Sequence, residues 1–161
     1  MSSTSENESL QLRLQKYTLL SGIILMLTGC FEGPLVATMA NKNMGKSTHH
    51  QMAHNAELLI ALAFAFPFCN LSRKLLWLTF YLLQIGTWAN CLSYLVIAVT
   101  DCPNPLFENS PELVSPGNGD NNIYTKISTV GLLGLTSVGM LLSLILLIVG
   151  VVNSEVKAKR H

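Results

Sequence analysis

The sequence predicts an all-α, integral-membrane four-helix bundle. Half of the 161 residues are hydrophobic and only 12% are charged, whereas soluble domains carry about 25% charged residues. Four segments are long enough to be spans, because a helix needs about 20 largely apolar residues to cross the hydrocarbon core. The formal net charge of +1, without a basic patch, argues against a nucleic-acid partner. The lipid membrane is therefore the expected environment.

We expect the first span at Tyr17–Met39, with Glu32, Gly33 and Pro34 near its outer end. Pro34 frees a backbone carbonyl one turn earlier, and Gly33 permits a kink. Two interpretations of Glu32 stay open. It is either an interfacial carboxylate beside a structural kink, or a buried group that hydrogen-bonds a histidine of the second span.

The second span is expected from about His49 to Cys69, after a polar break at 41–48. His50, His54 and Glu57 recur at i, i+4 and i+7, so they share one helix face. The three histidines at positions 49, 50 and 54 indicate metal chemistry, because neutral imidazole is the commonest metal ligand. A hydrated histidine cluster at a helix end explains them equally well.

The third span is expected at Leu75–Val99. Within it, Thr87, Asn90, Cys91 and Tyr94 recur at i, i+3, i+4 and i+7 and form a polar stripe. Lipid cannot satisfy such a stripe, so it must face protein or a cavity. Helix–helix hydrogen bonding, at about 0.6–2 kcal/mol per contact, is the simpler explanation.

The fourth span, Ile127–Val152, has no ionisable residue, and Gly139 and Ser143 form a small-xxx-small pair that predicts a packing surface. Before it, the segment 101–125 is rich in proline and glycine and is expected to be an irregular loop.

The loop charges predict the orientation. With four spans, seven basic residues fall on one side: Arg13, Lys16, Arg73, Lys74, Lys157, Lys159 and Arg160. Three fall on the other: Lys42, Lys46 and Lys126. Since cytoplasmic loops carry the excess of lysine and arginine, both termini are expected in the cytoplasm, with the chain in the inner or plasma membrane.

Two motifs resemble the styrene oxide isomerase family of small membrane enzymes. His49-x5-Asn55-Ala56, followed by an apolar run to Pro67, is similar to that family's His-x5-Asn-Gly and its apolar run to proline. The string Trp88-Ala89-Asn90-x3-Tyr94 is similar to its Trp-Ala-Asn-x3-Tyr. The Gly-Cys-Phe-Glu ending at Glu32 is similar to a Gly-Phe-Glu at the end of the family's first helix.

The resemblance implies a homotrimer of four-helix bundles with ferric haem b at the subunit interfaces. It makes His49 the axial iron ligand and places Asn55 and Tyr94 on the other haem face as catalytic residues. Trp88 and Asn90 are expected to contact the cofactor. His49 and Asn55 point about 120° apart on a helix, which is compatible with a haem shared between subunits.

The implied reaction is the isomerisation of a small hydrophobic substrate, an aryl epoxide, to a carbonyl compound by a Meinwald-type rearrangement. Ferric iron acts as a Lewis acid on the epoxide oxygen, the ring opens toward a benzylic cation, and a hydride shift gives the aldehyde without redox turnover.

Two departures from the family pattern leave the substrate open. Gly86 stands where the family carries an acidic residue, and Ala56 replaces the usual glycine. Gln84, Gly86 and Thr87 are closer to the related hydroxylaminobenzene mutases, which gives a second enzymatic hypothesis. A third hypothesis is a non-catalytic membrane haem-binding or structural protein that kept the scaffold.

Overall fold

The computed structural model describes residues 2–103, 119 and 123–158, and within these ranges the chain is helical, without strands. The four helices are α1 (Ser2–Leu35), α2 (Lys42–Ala63), α3 (Arg73–Thr100) and α4 (Ile123–Ala158). Short 3-10 turns at Val36–Thr38 and Phe66–Phe68 follow α1 and α2. The all-α prediction is confirmed. Most of the predicted irregular loop at 101–125 lies outside the described residues.

Within the described ranges, three segments are long and apolar enough to cross a membrane: Glu6–Thr38, Arg73–Thr100 and Thr125–Ser154. They correspond to the first, third and fourth predicted spans. Helix α2 is not apolar enough to be one of these candidate spans, because its first two turns are polar. The chain is therefore a helical membrane protein with three candidate spans.

Helices α1 and α3 run in the same direction. The Tyr17 and Phe80 rings lie 6.4 Å apart, and one turn further along each helix Ser21 Oγ donates to Gln84 Oε1 at 2.5 Å. Residues later in α1 therefore contact residues later in α3, which shows that the two helices are parallel. Helix α2 connects them and runs in the opposite direction.

Helix α4 packs mainly along α3 in the opposite direction. The backbone N–H of Asn70, just before α3, donates to the Gly150 carbonyl near the end of α4 at 2.8 Å. At the crossing, a Cβ on Gly86 would lie 2.8 Å from Met140 N, and one on Gly139 would lie 3.0 Å from Gly86 Cα. The two backbones approach so closely because both positions lack a side chain.

Helix α2 begins and ends earlier than the sequence predicted. Asn41 caps it by accepting from the Met44 N–H at 3.0 Å, so the polar segment predicted as a break forms the first two turns. The α-helix stops at Ala63 rather than Cys69. Proline has no N–H and favours an extended residue before it, and Pro67 lies in the following 3-10 turn.

Helix α1 is longer than the predicted span and includes the Ser/Glu-rich segment near the N-terminus. Leu10 and Leu14 of this extension are buried, and Gln11 Nε2 donates to the Cys69 carbonyl at 2.5 Å. The extension therefore packs on the connection between α2 and α3.

Candidate active site

The imidazole of His49 has a defined orientation against α1. Its Nδ1 lies 3.0 Å from the carbonyl oxygen of Gly29. Because a carbonyl oxygen only accepts, Nδ1 must carry the proton and Nε2 must hold the lone pair. The described residues offer Nε2 no hydrogen-bond partner, and the side chain is 42% exposed. His49 therefore has a free lone pair on Nε2.

Glu32 lies beside the same ring nitrogen. Its Oε2 is 3.6 Å from His49 Nδ1, the residue is only 6% exposed, and neither carboxylate oxygen has a hydrogen-bond partner among the described residues. This arrangement favours the interpretation of Glu32 as a buried partner of a histidine. Pro34 does not end α1, which continues to Leu35.

Two glycines let the imidazole lie close to α1. A Cβ on Gly33 would be 3.2 Å from His49 Cε1 and Nδ1, and one on Gly29 would be 3.2 Å from Met52 Cβ. Gly29 and Gly33 form a small-xxx-small pair of the kind that allows close helix approach. This pair was not predicted, although its i, i+4 spacing is visible in the sequence.

A pocket of about 730 Å³ opens where α1 ends and α2 begins. His49 lines it together with apolar and small residues of the α1 end and polar residues of α2: Gly33, Pro34, Val36, Ala37, Lys42, Asn43, Lys46 and His50. The pocket thus combines two imidazoles, an apolar wall and two cationic side chains.

The other two predicted metal-ligand candidates do not join His49 in a metal cluster. His54 Nδ1 lies 3.8 Å from Glu57 Oε2, with both side chains about two-thirds exposed. The His50 ring lies 5.8 Å from the His49 ring, edge to face. Among the described residues, no group of three or more His, Cys, Asp or Glu side chains could hold a metal ion.

Asn55 faces α3, on a different side of α2 from the contact between His49 and α1. Its Nδ2 donates to the Thr87 carbonyl at 3.0 Å and to Cys91 Sγ at 3.3 Å. Its Oδ1 accepts from Gln51 Nε2 at 3.2 Å. The amide is therefore buried and fully hydrogen-bonded within the subunit, and the divergence predicted for His49 and Asn55 matches their contacts.

The polar stripe on α3 has two parts. Thr87 and Cys91 are buried and bond to α2 through Asn55, which is the helix–helix role that the sequence favoured. Asn90 and Tyr94 are half-buried. Tyr94 packs beside a small cluster that includes Met44 and Ile97, and its hydroxyl has no hydrogen bond to the part of the chain that the structure describes.

Trp88 is fixed by a network between α1 and α3. Its Nε1 donates to Ser21 Oγ at 3.0 Å, and Ser21 Oγ in turn donates to Gln84 Oε1. The role of Ser21 was not predicted, because an isolated serine in an apolar helix does not belong to a pattern of polar residues at helical spacing. The network holds the indole at the α1–α3 contact. Neither Trp88 nor Tyr94 lines the His49 pocket.

Glu32 also borders a second, mainly apolar pocket of about 430 Å³. Phe31 and Leu35 of α1, with Leu95 and Val99 of α3, supply much of its wall. This pocket offers a small hydrophobic molecule a volume next to the carboxyl group that contacts His49.

A sequence model described as styrene oxide isomerase matches residues 14–152. The hydroxylaminobenzene mutase HabA of Ectopseudomonas oleovorans is 36% identical over 86 residues. That match covers 53% of this chain and 64% of the relative, less than two thirds of the relative's length. No solved structure matches the chain significantly.

Both names denote enzymes that isomerise a substrate. The family match begins within the N-terminal half of α1 and ends within α4, and it includes the motifs that contain Glu32, His49 and Trp88. On this evidence, the chain belongs to the styrene oxide isomerase family.

Proposed function

We propose that the protein is a haem-b-dependent membrane isomerase that converts an aryl epoxide to a carbonyl compound, and that His49 would hold the haem iron. The observation that carries this proposal is the single orientation of His49. Nδ1–H donates a hydrogen bond to the Gly29 carbonyl, and Nε2 remains free beside a pocket of about 730 Å³. Metal-binding histidines commonly donate their second N–H to a backbone carbonyl or a carboxylate.

The residues present fit a haem group. His49 supplies a neutral imidazole, Glu32 is a buried carboxyl group without a hydrogen-bond partner in the described chain, and the pocket wall is largely apolar. Ferric haem, when bound, would supply a Lewis-acid site for an epoxide oxygen. Gly29 and Glu32 would hold the imidazole in one tautomer and one orientation.

Tyr94 is proposed as the hydrogen-bond donor to the substrate oxygen, and Asn90 and Trp88 as neighbours of the cofactor. The Tyr94 hydroxyl is free to donate, since the described residues give it no partner. A donor fixed near a developing negative charge stabilises the transition state. Apolar surroundings also exclude water, which favours isomerisation over hydration of the opened ring.

We propose that Asn55 positions α2 and does not contact the substrate. Its amide nitrogen donates to Thr87 and Cys91, and its amide oxygen accepts from Gln51. It therefore holds α2, and with it His49, against α3.

Two observations support a homotrimer with sites shared between subunits. Among the described residues, Tyr94 lines neither the pocket beside His49 nor the one beside Glu32. In addition, α2 exposes the side chains of His50, His54 and Glu57, and ionisable groups at membrane depth cost several kcal/mol unless they face protein or water. A neighbouring subunit would cover this stripe and bring a second α3 towards His49.

We further propose that α2 crosses the membrane and that both termini are cytoplasmic. Helices α1 and α3 run in the same direction, so the chain must return across the membrane between them. With 22 residues, α2 is about 33 Å long, enough for a hydrocarbon core of about 30 Å.

A second candidate function is the isomerisation of hydroxylaminobenzene, which the match to HabA favours. Purified protein incubated separately with styrene oxide and with hydroxylaminobenzene distinguishes the two. We expect styrene oxide dideuterated at its terminal carbon to give an aldehyde that keeps both deuterium atoms, one on the carbonyl carbon and one on its neighbour. Turnover of hydroxylaminobenzene alone would support the second candidate and overturn the first.

A further inference from the structure

We propose that Lys42 and Lys46 bind the two carboxylate groups of the porphyrin whose iron His49 holds. The inference rests on the proposed function, because it concerns how the same pocket orients that cofactor. It assigns a role to two lysines that the helical and motif patterns leave unexplained.

The two lysines share the His49 side of α2. Lys42 precedes His49 by seven residues and Lys46 precedes it by three, so the three side chains lie within about 60° of one another around the helix. The lysines are about 10 Å and 5 Å from His49 along the helix axis. The imidazole and both cations line the same pocket.

The two lysine charges have no acidic counterpart among the residues that line this pocket. The residues that line it include Lys42 and Lys46 but neither aspartate nor glutamate. Neither lysine forms an ion pair within the described residues, and both are exposed. An anionic group on the ligand would supply the missing counter-charge.

The pocket is also polarised from end to end. Pro34, Val36 and Ala37 provide an apolar wall, whereas Lys42 and Asn43 stand at the start of α2. Haem b is an apolar plate with two carboxylates on one edge. In this pocket, His49 lies further along α2 than Lys42 and Lys46, which lie near the start of the helix. The pocket therefore selects one orientation of the haem, with its carboxylates towards the lysines.

Lipid headgroup phosphates are the other anions that lysines at this depth could bind. The test must therefore separate porphyrin carboxylates from lipid. Haem-depleted full-length protein in neutral, lipid-free detergent is titrated with haem b and with haem b dimethyl ester, which lacks the two charges. Soret absorbance gives the dissociation constant for each ligand.

We expect Lys42→Gln and Lys46→Gln each to weaken haem binding about two- to fivefold, and the double variant about tenfold, as for partly exposed ion pairs. Binding of the dimethyl ester should be unchanged in all three. Lys74→Gln is the matched control, because this exposed lysine lies at the start of α3, away from the pocket.

The inference is overturned if the double variant keeps the wild-type preference for haem over its ester, or if it loses only copurifying anionic lipid. These outcomes differ from failure of the proposed function, in which wild-type protein would give a Soret band with neither ligand.

Discussion

His49 Nδ1 lies 3.0 Å from the carbonyl oxygen of Gly29. This one hydrogen bond joins α2 to α1 and fixes the tautomer, because a carbonyl oxygen requires a donor. Gly33 packs on the same ring, so backbone rather than flexible side chains sets much of its position. A preorganised ligand of this kind loses little conformational freedom when a metal binds.

The role of Asn55 can be tested by separating stability from turnover. Asn55→Ala removes the bonds to Thr87, Cys91 and Gln51 and should lower the free energy of unfolding by about 1–3 kcal/mol. Turnover per bound haem should change less than haem retention does. Full stability together with lost turnover would instead make Asn55 a substrate contact. Thermal unfolding in detergent, with haem-normalised rates, distinguishes these results.

Tyr94→Phe should leave haem content and assembly intact and slow aryl epoxide isomerisation by about 10²- to 10³-fold. Removal of one preorganised donor typically raises the barrier by about 3–4 kcal/mol. The rate per haem and the melting temperature should be measured together. Lower stability with an unchanged rate per haem would give Tyr94 a packing role beside Met44 and Ile97.

The sequence predicted the apolar spans within α1, α3 and α4, because long apolar runs need no tertiary information. It missed the start of α2, since the polar segment 41–48 resembles a loop until Asn41 is seen to cap the helix. It also could not predict that the Asn55 amide turns towards Thr87. That direction depends on which helix lies next to each face of α2, and the sequence pattern does not encode it.

Gly86 stands where the family pattern has an acidic residue, and the close packing of α3 on α4 explains this departure. A Cβ there would lie 2.8 Å from Met140 N and 2.9 Å from Met140 Cγ, so Gly86→Ala should destabilise the α3–α4 contact by about 1–3 kcal/mol. Gly134→Ala is the matched control, because a Cβ at Gly134 meets nothing within 4 Å. Thermal unfolding in detergent compares the two. Equal melting temperatures would contradict the close crossing of α3 and α4.

The proposed assembly predicts three chains and three haem groups by native mass spectrometry in mild detergent. His54→Leu and Glu57→Leu, made together, remove ionisable groups from the exposed face of α2 and should shift the trimer–monomer equilibrium measurably if that face meets a neighbour. A wild-type monomer that retains stoichiometric haem would contradict the shared site.

The central claim, iron ligation by His49, is tested most directly by visible spectra of the purified wild type and of three alanine variants. The wild type should show a Soret band, His49→Ala should lose stoichiometric haem, and His50→Ala and His54→Ala should retain most of it. The neighbouring histidines are matched controls, since they lie on the same helix and neither takes part in the contact with Gly29. A wild-type protein without a Soret band, or a His49→Ala variant that keeps full haem, would contradict the account.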